Sequence, residues 1–214
     1  MAPRRIAELL APFLQGPPGS PASLTDAQFG QVSAYLDLLL RWNARINLTA
    51  VRDPEAMVTR HFGESLFAAR LLLAPESRGS AIDLGSGAGF PGLPLKILAP
   101  AVALTLIESN QKKAAFLKEA VRALRLTNVD VLAGRAEQCS ATADLVTLRA
   151  VERYEQALAV AARMVAPGGR LGLLVGALQA GRTPQLLAGF GWQAPVAIPQ
   201  ASARVLLVGT NQDG

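Results

Sequence analysis

The segment that most constrains this chain is AIDLGSGAGFPGLPLK, residues 81–96, in which four glycines follow a short apolar run. Glycine weakens helices and strands, so glycines clustered this densely indicate a place where another group approaches the backbone closely. Residues 81–84 read as a short strand and residues 90–98 as a helix. In an open α/β sheet, ligands bind beyond the carboxyl ends of the strands, where the next helix offers free amide donors. The segment therefore predicts a ligand site at a strand–loop–helix crossover.

The spacing of the glycines narrows the class of ligand. A dinucleotide fingerprint has the form G-x-G-x-x-G, whereas here Gly85 and Gly87 fit and the third position is Phe90. The pattern present is Asp-x-Gly-x-Gly-x-Gly, from Asp83 to Gly89. This pattern resembles the first motif of class I S-adenosylmethionine-dependent methyltransferases.

A second acidic residue supports a nucleoside ligand. Glu108 ends the apparent strand ALTLIE, 23 positions beyond Gly85. A carboxylate at this point accepts hydrogen bonds from ribose hydroxyls in either cofactor class, so Glu108 does not choose between them.

The remainder of the chain predicts a small helical region, residues 1–75, followed by an α/β domain, residues 76–214. A long helix begins at Thr25 or Asp26, after a GPPGSPAS linker at residues 16–23, and another helix begins at Asp53-Pro54. From residue 81 onward strands alternate with helices, which indicates a doubly wound, Rossmann-like parallel sheet. The tail VAIPQASARVLLVG reads as a terminal antiparallel hairpin, which is similar to the class I methyltransferase fold.

Composition limits the partners and the compartment. The formal net charge is +5, which favours an anionic partner such as nucleic acid, although a basic enzyme of another kind has the same charge. A single cysteine, Cys139, excludes an internal disulfide, and no run approaches the roughly 18 apolar residues of a membrane span. We expect a cytoplasmic, monomeric protein without a membrane segment.

Several segments in order resemble one family. They are RWNARINLTAVRDPEAMVTRHFGESL (41–66), DLGSGAGFPGLPLKI (83–97), IESNQKKAAFLKE (107–119), GRAEQ (134–138) and LRAVE (148–152). Together they are similar to the bacterial 16S ribosomal RNA guanine-N7 methyltransferases, also called glucose-inhibited division protein B. The resemblance implies S-adenosylmethionine as cofactor, and methylation of one guanine in the 530 loop of 16S rRNA, in the assembled small subunit.

The motifs and the resemblance together nominate the site residues. The expected cofactor-binding residues are Asp83, Gly85, Gly87, Gly89, Phe90, Glu108, Ala136, Glu137 and Arg149. The expected RNA-contacting residues are Asn47, Arg60, His61, Lys112 and Lys113, with Arg41, Arg45 and Arg52 extending the same basic track. Three positions depart from the usual family pattern: Leu148 replaces serine, Val175-Gly176 replaces Lys-Gly, and Gly63-Glu64 replaces a hydrophobic residue followed by Asp.

The chemistry fits the absence of an obvious catalytic base. Guanine N7 has a free lone pair at neutral pH, so its methylation needs orientation and exclusion of water rather than proton removal. Arg149 is expected to position the cofactor carboxylate or an RNA phosphate, and it cannot act as a base. Cys139 lacks the proline–cysteine context of a methyltransferase nucleophile, and no metal site is expected.

Other functional classes remain open from the residues alone. A nicotinamide-dependent oxidoreductase would use the same sheet, but Phe90 stands where its third glycine belongs. A small-molecule methyltransferase accounts for the glycine loop but not for the arginine-rich helical region. A non-catalytic RNA-binding module would bind RNA without transferring a methyl group.

Overall fold

The computed structural model describes residues 1–15, 24–150 and 153–212. The helices in this part of the chain are α1 (Pro3–Leu14), α2 (Asp26–Asn43), α3 (Pro54–Met57), α4 (Glu64–Leu72), α5 (Gly92–Leu98), α6 (Gln111–Ala123), α7 (Tyr154–Arg163) and α8 (Ala177–Leu186). The strands are β1 (Ser80–Leu84), β2 (Ala103–Glu108), β3 (Val129–Ala133), β4 (Ala143–Arg149), β5 (Val165–Gly176), β6 (Phe190–Trp192), β7 (Val196–Ala197) and β8 (Arg204–Asn211). A π-helical turn, Val58–Gly63, joins α3 to α4, and a 3₁₀ turn, Ala136–Gln138, lies between β3 and β4.

The long helix α2 begins where the sequence predicts. Thr25 is its N-cap and forms a capping box with Gln28, which satisfies two backbone donors at the helix start. The predicted linker at residues 16–23 lies outside the described residues. The helix predicted from Asp53-Pro54 is present, but it passes through the π-helical turn before continuing as α4.

The sheet has the strand order β3-β2-β1-β4-β5-β8-β6, with β7 paired to β8. Strands β1 to β5 are parallel, while β8 runs antiparallel to β5, β6 and β7. The prediction of a doubly wound parallel sheet with a terminal antiparallel hairpin is confirmed. Because the order reverses beside β1 and β4, their carboxyl ends form the crevice in which such folds bind ligands.

Four details differ from the sequence interpretation. Helix α5 begins at Gly92 rather than Phe90, because the loop folds through Pro91 before the first helical turn. The Pro-Gly-Gly segment at 167–169, which the sequence predicts to be a turn, lies within β5, where the pairing of β5 with β4 is irregular. Helix α8 and strand β6 carry no clear periodic signal and were not predicted.

The helical region packs directly on one face of the sheet. One hydrophobic cluster contains residues of α1, α2 and α4 together with Phe90, Leu93, Leu106 and Phe116. A second cluster covers the opposite face with residues from α7 and β5. The helices therefore share a core with the sheet, and the division into two domains at residue 75 stays a prediction. No helix in the described ranges is long and apolar enough to cross a bilayer.

Candidate functional site

The glycine loop is a backbone platform at the carboxyl end of β1. Gly85, Gly87 and Gly89 have φ values of +70°, +56° and +86°, a region that disfavours side chains. The amides of Gly85 and Ser86 both donate to the carbonyl of Ile107, at 2.9 and 3.0 Å, which ties the loop to β2. A Cβ on Gly87 would meet only the carbonyl of Gly85, at 3.8 Å. The loop is thus hydrogen-bonded to β2, and the space beside Gly87 is open.

Glu108, at the end of β2, is hydrogen-bonded to the glycine loop. Its Oε2 accepts a hydrogen bond from the amide of Gly87 at 2.8 Å, and its Oε1 accepts one from the amide of Asn110 at 2.7 Å. These two bonds fix the carboxylate in place. Each carboxylate oxygen has a second lone pair, so Glu108 retains capacity for the two hydroxyls of a ribose.

A cleft of about 560 Å³ opens beside Glu108. It is lined by Leu84, Gly85, Ile107, Glu108, Ser109, Asn110, Lys113, Gly134, Arg135, Ala136, Glu137, Ala150, Arg153, Gln156, Ala157 and Val160. The structure therefore brings together four of the predicted cofactor residues, Gly85, Glu108, Ala136 and Glu137. Its size is within the ordinary range for a small-molecule site.

Asp83 faces away from this cleft. Its buried carboxylate accepts hydrogen bonds from the amide of Gly92, at 3.2 Å, and from Thr147 Oγ1, at 2.8 Å. Burial raises the pKa of Asp83 to about 6, while the hydrogen bonds from Thr147 and Gly92 act in the opposite direction. Asp83 thus joins β1 to β4 and to the start of α5, and a direct contact with the cofactor stays a prediction.

Phe90 also points away from the cleft. Its ring stacks on Tyr35 with centroids 5.3 Å apart and on His61 with centroids 5.1 Å apart, and it meets Phe62 edge-on. The phenolic oxygen of Tyr35 donates a hydrogen bond to the carbonyl of Ala88 within the glycine loop. Burial raises the pKa of Tyr35 well above its usual value, so this donor stays protonated. The helical region therefore holds the glycine loop in place through the contacts of Tyr35 with Ala88 and Phe90.

Arg149 ends β4 and turns toward the helical region. Its Nη2 donates to the carbonyl of Arg60 at 2.6 Å and to Glu64 Oε2 at 3.1 Å, and it lies 3.5 Å from His61 Nδ1. Glu64 in turn pairs with Nη2 of Arg204, at the start of β8. Burial lowers the pKa of Arg149, although an arginine stays charged throughout the ordinary pH range.

His61 lies on the π-helical turn, a local feature frequent at functional sites. Burial, together with Arg149, Arg60 and Arg204, lowers the pKa of His61 to about 3. The ring is therefore neutral at neutral pH. Its two ring nitrogens face different groups: Nε2 shares a hydrogen bond with Thr49 Oγ1 at 2.7 Å, and Nδ1 lies 3.5 Å from Arg149 Nη2.

The predicted RNA-contacting residues lie at the same end of the sheet. Helices α2 and α6 run antiparallel, since Gln31 donates to the carbonyl of Leu124 at 3.0 Å and Trp42 meets Phe116 at 5.7 Å. This pairing places the carboxyl end of α2 beside the amino end of α6. The residues grouped there are Arg41, Arg45, Asn47, Arg52, Lys112 and Lys113.

These polar residues differ in their solvent exposure and in the hydrogen bonds that they already make. Arg41, Arg60 and Lys112 are exposed. Arg52 is partly committed, because it donates to the carbonyl of Asn43 at 2.9 Å and to Asn47 Oδ1. Lys113 lines the cleft beside Glu108.

Sequence reasoning missed three residues that organise the site: Tyr35, Glu64 and Arg204. Tyr35 belongs to the apolar face of α2, where periodicity reads any aromatic residue as core. The Glu64–Arg204 pair spans 140 positions of sequence. A single sequence carries no signal for such a pairing, although the departure from the family pattern at Glu64 marked the position.

The strand order, the antiparallel β8 and the cleft beside an acidic β2 terminus are those of the class I S-adenosylmethionine-dependent methyltransferase fold. Solved structures agree in fold. The ribosomal protein L11 methylase of Lactobacillus delbrueckii subsp. bulgaricus matches with a TM-score of 0.61, at 11% identity over 72% of this chain and 79% of that one. TYW2 of M. jannaschii, solved in complex with AdoMet, matches with a TM-score of 0.59, at 16% identity over 78% of each chain.

Sequence relatives identify the family. The family model described as GidB, rRNA small subunit methyltransferase G, matches residues 28–185. The ribosomal RNA small subunit methyltransferase G of Xanthomonas campestris pv. campestris is 40% identical over 200 residues, 91% of this chain and 92% of the relative. The protein of the same name from Stenotrophomonas maltophilia is 43% identical over 171 residues, 77% of this chain and 78% of the relative. The chain belongs to the rRNA small subunit methyltransferase G family, and its cofactor is S-adenosylmethionine.

Proposed function

We propose that this protein methylates N7 of one guanine in the 530 loop of 16S ribosomal RNA. The observation that carries the proposal is the match to the rRNA small subunit methyltransferase G family over most of the chain, including the glycine loop and Arg149. The proposal includes a monomeric enzyme that acts in the cytoplasm on the assembled small subunit.

The described residues fit the cofactor. The glycine loop leaves open space above Gly87, and Glu108 is held by two backbone amides with lone pairs to spare. Ala136 and Glu137 line the same cleft, and the family resemblance implies that the adenine ring lies beside them. When bound, S-adenosylmethionine supplies a methyl group already activated by a sulfonium.

The residues around Arg149 fit a reaction that needs no proton removal. His61 is neutral and already hydrogen-bonded, and Arg149 cannot accept a proton. Guanine N7 is unprotonated at neutral pH, so it needs neither of them as a base. What this part of the site supplies is a fixed positive group at the carboxyl end of β4, with water excluded by the packed helical region.

The basic residues at the site edge fit an RNA substrate. Arg41, Arg60 and Lys112 are exposed at the end of the molecule where the cleft opens. Cations arranged beside a cleft neutralise phosphates and release counterions, which stabilises an RNA complex. This grouping favours RNA over a small-molecule substrate, because a small molecule gains little from cations outside the cleft.

The test is methyl transfer to small subunits that lack the modification. The protein is incubated with labelled S-adenosylmethionine and either assembled subunits or naked 16S rRNA. The modified base is then located by reduction and strand cleavage at 7-methylguanine. We expect label at one guanine of the 530 loop, with assembled subunits preferred. Label on another base, or on a ring atom other than N7, would overturn the proposal.

A further inference from the structure

We propose that Glu64 and Arg204 are positioning residues that orient Arg149 so that its remaining N–H groups read the O6 atom of the target guanine. The inference rests on the proposed function, because it concerns how that site recognises its base. It starts from a buried carboxylate at the junction of three separate parts of the fold.

Glu64 holds two arginines from different strands. Its side chain is 2% exposed, and its two oxygens pair with Arg149, at 3.1 Å, and with Arg204. Arg149 comes from the end of β4, Arg204 from the start of β8, and Glu64 from the first turn of α4. The carboxylate therefore fixes the two guanidinium groups relative to each other, and a buried charge network of this kind specifies one arrangement.

The hydrogen bonds of Arg149 use only one edge of its guanidinium. Nη2 has two hydrogens, and the acceptors at 2.6 and 3.1 Å, the Arg60 carbonyl and Glu64, account for both. Nε and Nη1 make no hydrogen bond with the described part of the chain. They are also not among the buried unpaired atoms of that part, and the side chain is 12% exposed. Three N–H groups thus remain available to a ligand.

Arg149 lies on the substrate side of the cofactor cleft. The cleft opens among residues of β2, α7 and the 3₁₀ turn, and Arg149 is not one of those that line it. Its side chain turns to the opposite face, beside Arg60 and His61. The free edge therefore suits the base to be methylated better than the cofactor carboxylate.

The chemistry of the base names the atom that is recognised. N7 and O6 share one edge of guanine, so an enzyme that methylates N7 faces O6 as well. Adenine also has N7, but carries an amino donor where guanine has O6. A guanidinium can only donate hydrogen bonds, so it binds the O6 acceptor of guanine and discriminates against the amino donor of adenine.

The decisive probe is a subunit that carries 2,6-diaminopurine at the target position. This base keeps N7 and the 2-amino group and replaces O6 with an amino group. We expect wild-type kcat/KM to fall about 100-fold or more on the probe, since it leaves the site's donors facing another donor. In Arg149→Met, the ratio of kcat/KM on guanine to kcat/KM on the probe should fall toward one.

Variants of Glu64 separate positioning from a structural role. We expect Glu64→Gln to lower kcat on guanine by about 10- to 100-fold and to narrow the same ratio, with affinity for S-adenosylmethionine unchanged. Glu64→Asp, which keeps the charge, should restore most of the ratio. Adding Glu64→Gln to Arg149→Met should lower kcat little further, because the two residues act as a unit. A structural role alone would lower the melting temperature and leave the ratio intact.

Arg204→Met keeps the inference testable if Glu64→Gln does not fold. Arg204 is 30% exposed, so its loss disturbs the core less, and it should narrow the ratio in the same direction. The matched control is Glu55→Gln, which breaks an exposed pair with Arg5 at 2.7 Å and should behave as wild type.

The outcomes distinguish this inference from the proposed function. If wild type does not methylate guanine N7, the proposed function fails first. If wild type methylates it but Arg149→Met still discriminates against the probe, the reading of O6 is wrong. If Glu64→Gln and Arg204→Met both keep the wild-type ratio, the positioning role is wrong.

Discussion

Gly87 and Gly89 lie two positions apart in the glycine loop, but a side chain would meet different surroundings at each. A Cβ at Gly89 would lie 2.5 Å from Tyr35 Oη and 2.6 Å from Leu93 Cδ1, both in the core. A Cβ at Gly87 would enter open space beside Glu108. Gly89 is therefore required by packing, whereas at Gly87 the structure leaves space that we propose the cofactor occupies.

We expect Gly87→Val to abolish S-adenosylmethionine binding while the protein remains folded. The left-handed φ of +56° costs a side chain about 1–2 kcal/mol, which a folded domain tolerates. Isothermal titration calorimetry and thermal unfolding measure the two effects separately. Gly168→Val is the control, because Gly168 has a φ of +69° with nothing within 4 Å. It should lose the same stability and keep full affinity, and normal binding by Gly87→Val would refute the loop as the cofactor platform.

Asp83 predicts a pH dependence of stability. Its folded pKa of about 6 lies above the ordinary value of 3.8, so the folded state holds a proton that the unfolded state releases between these values. The stability contributed by the protonated carboxyl is present below 3.8 and is lost as pH rises through 6. In Asp83→Asn the amide accepts from Gly92 and donates to Thr147 without this loss. From pH 4 to 7, the variant's free energy of unfolding should rise relative to wild type by about 2–3 kcal/mol.

The control for this titration is a carboxyl with the opposite shift. Hydrogen bonds from the Ser80 amide and hydroxyl lower the pKa of Asp144. Its contribution to stability is present above the ordinary pKa and is lost as pH falls. Urea denaturation extended below about pH 4 should therefore show the difference in unfolding free energy between Asp144→Asn and wild type moving in the opposite direction with pH. Parallel stability curves for wild type and Asp83→Asn would rule out the raised pKa.

At the scale of elements, α2 is part of the scaffold of the cofactor loop. Tyr35 reaches from the middle of α2 to the Ala88 carbonyl and stacks on Phe90, so the loop rests on the helical region. Tyr35 and Phe90 both belong to the hydrophobic cluster that the helices share with the sheet. We therefore expect changes on α2 to alter cofactor affinity.

We expect Tyr35→Phe to destabilise the fold by about 1–3 kcal/mol, because the Ala88 carbonyl loses its hydrogen-bond donor. Affinity for S-adenosylmethionine should fall as well, because the glycine loop is less firmly held. Tyr154→Phe is the control: Tyr154 bonds Thr183 Oγ1 at 2.6 Å and does not touch the loop. Equal affinities in the two variants, measured by calorimetry, would show that the loop does not depend on α2.

The elements that the sequence predicted are those with strong local patterns. Strands β1 to β5 are separated by helices α5, α6 and α7, except between β3 and β4, and this pattern is typical of a parallel sheet. Helix α8 contains Gly181 and Pro184, which weaken its helical signal, and β6 has only three residues. The π-helical turn reads as ordinary helix, because its sequence VTRHFG has no feature that distinguishes the two.

Local patterns and the family resemblance predicted residues that the structure brings to one cleft, namely Gly85, Glu108, Ala136 and Glu137. They did not predict contacts between residues that are distant in sequence. Spacing nominated Asp83 and the family resemblance nominated Phe90, and neither reveals which side of a loop a residue faces. The network of Glu64, Arg149 and Arg204 depends on tertiary pairing of α4, β4 and β8. Its existence became visible only when the strands were placed side by side.

At the scale of the whole molecule, exposed basic side chains lie at both ends of the parallel strands, and only one of these ends carries the cleft. Arg41 and Lys112 lie at the joined ends of α2 and α6, on the side of the carboxyl ends of the strands. Arg78 and Arg163 lie just before β1 and β5, at the amino ends. All four are exposed, so they contribute equally to net charge and differ only in position.

The position of Arg41 and Lys112 beside the cleft predicts how salt affects binding to small subunits. Each phosphate contact that is lost removes about 0.7–0.9 from the slope of log affinity against log salt concentration. The double variant Arg41→Gln/Lys112→Gln should therefore bind more weakly and flatten the slope by roughly 1–2, with magnesium held constant. Arg78→Gln/Arg163→Gln removes the same charge from the far end of the molecule and should leave the slope unchanged. If both double variants flatten the slope equally, net charge rather than a defined surface attracts the RNA. If neither variant does so, phosphate contacts lie elsewhere on the molecule.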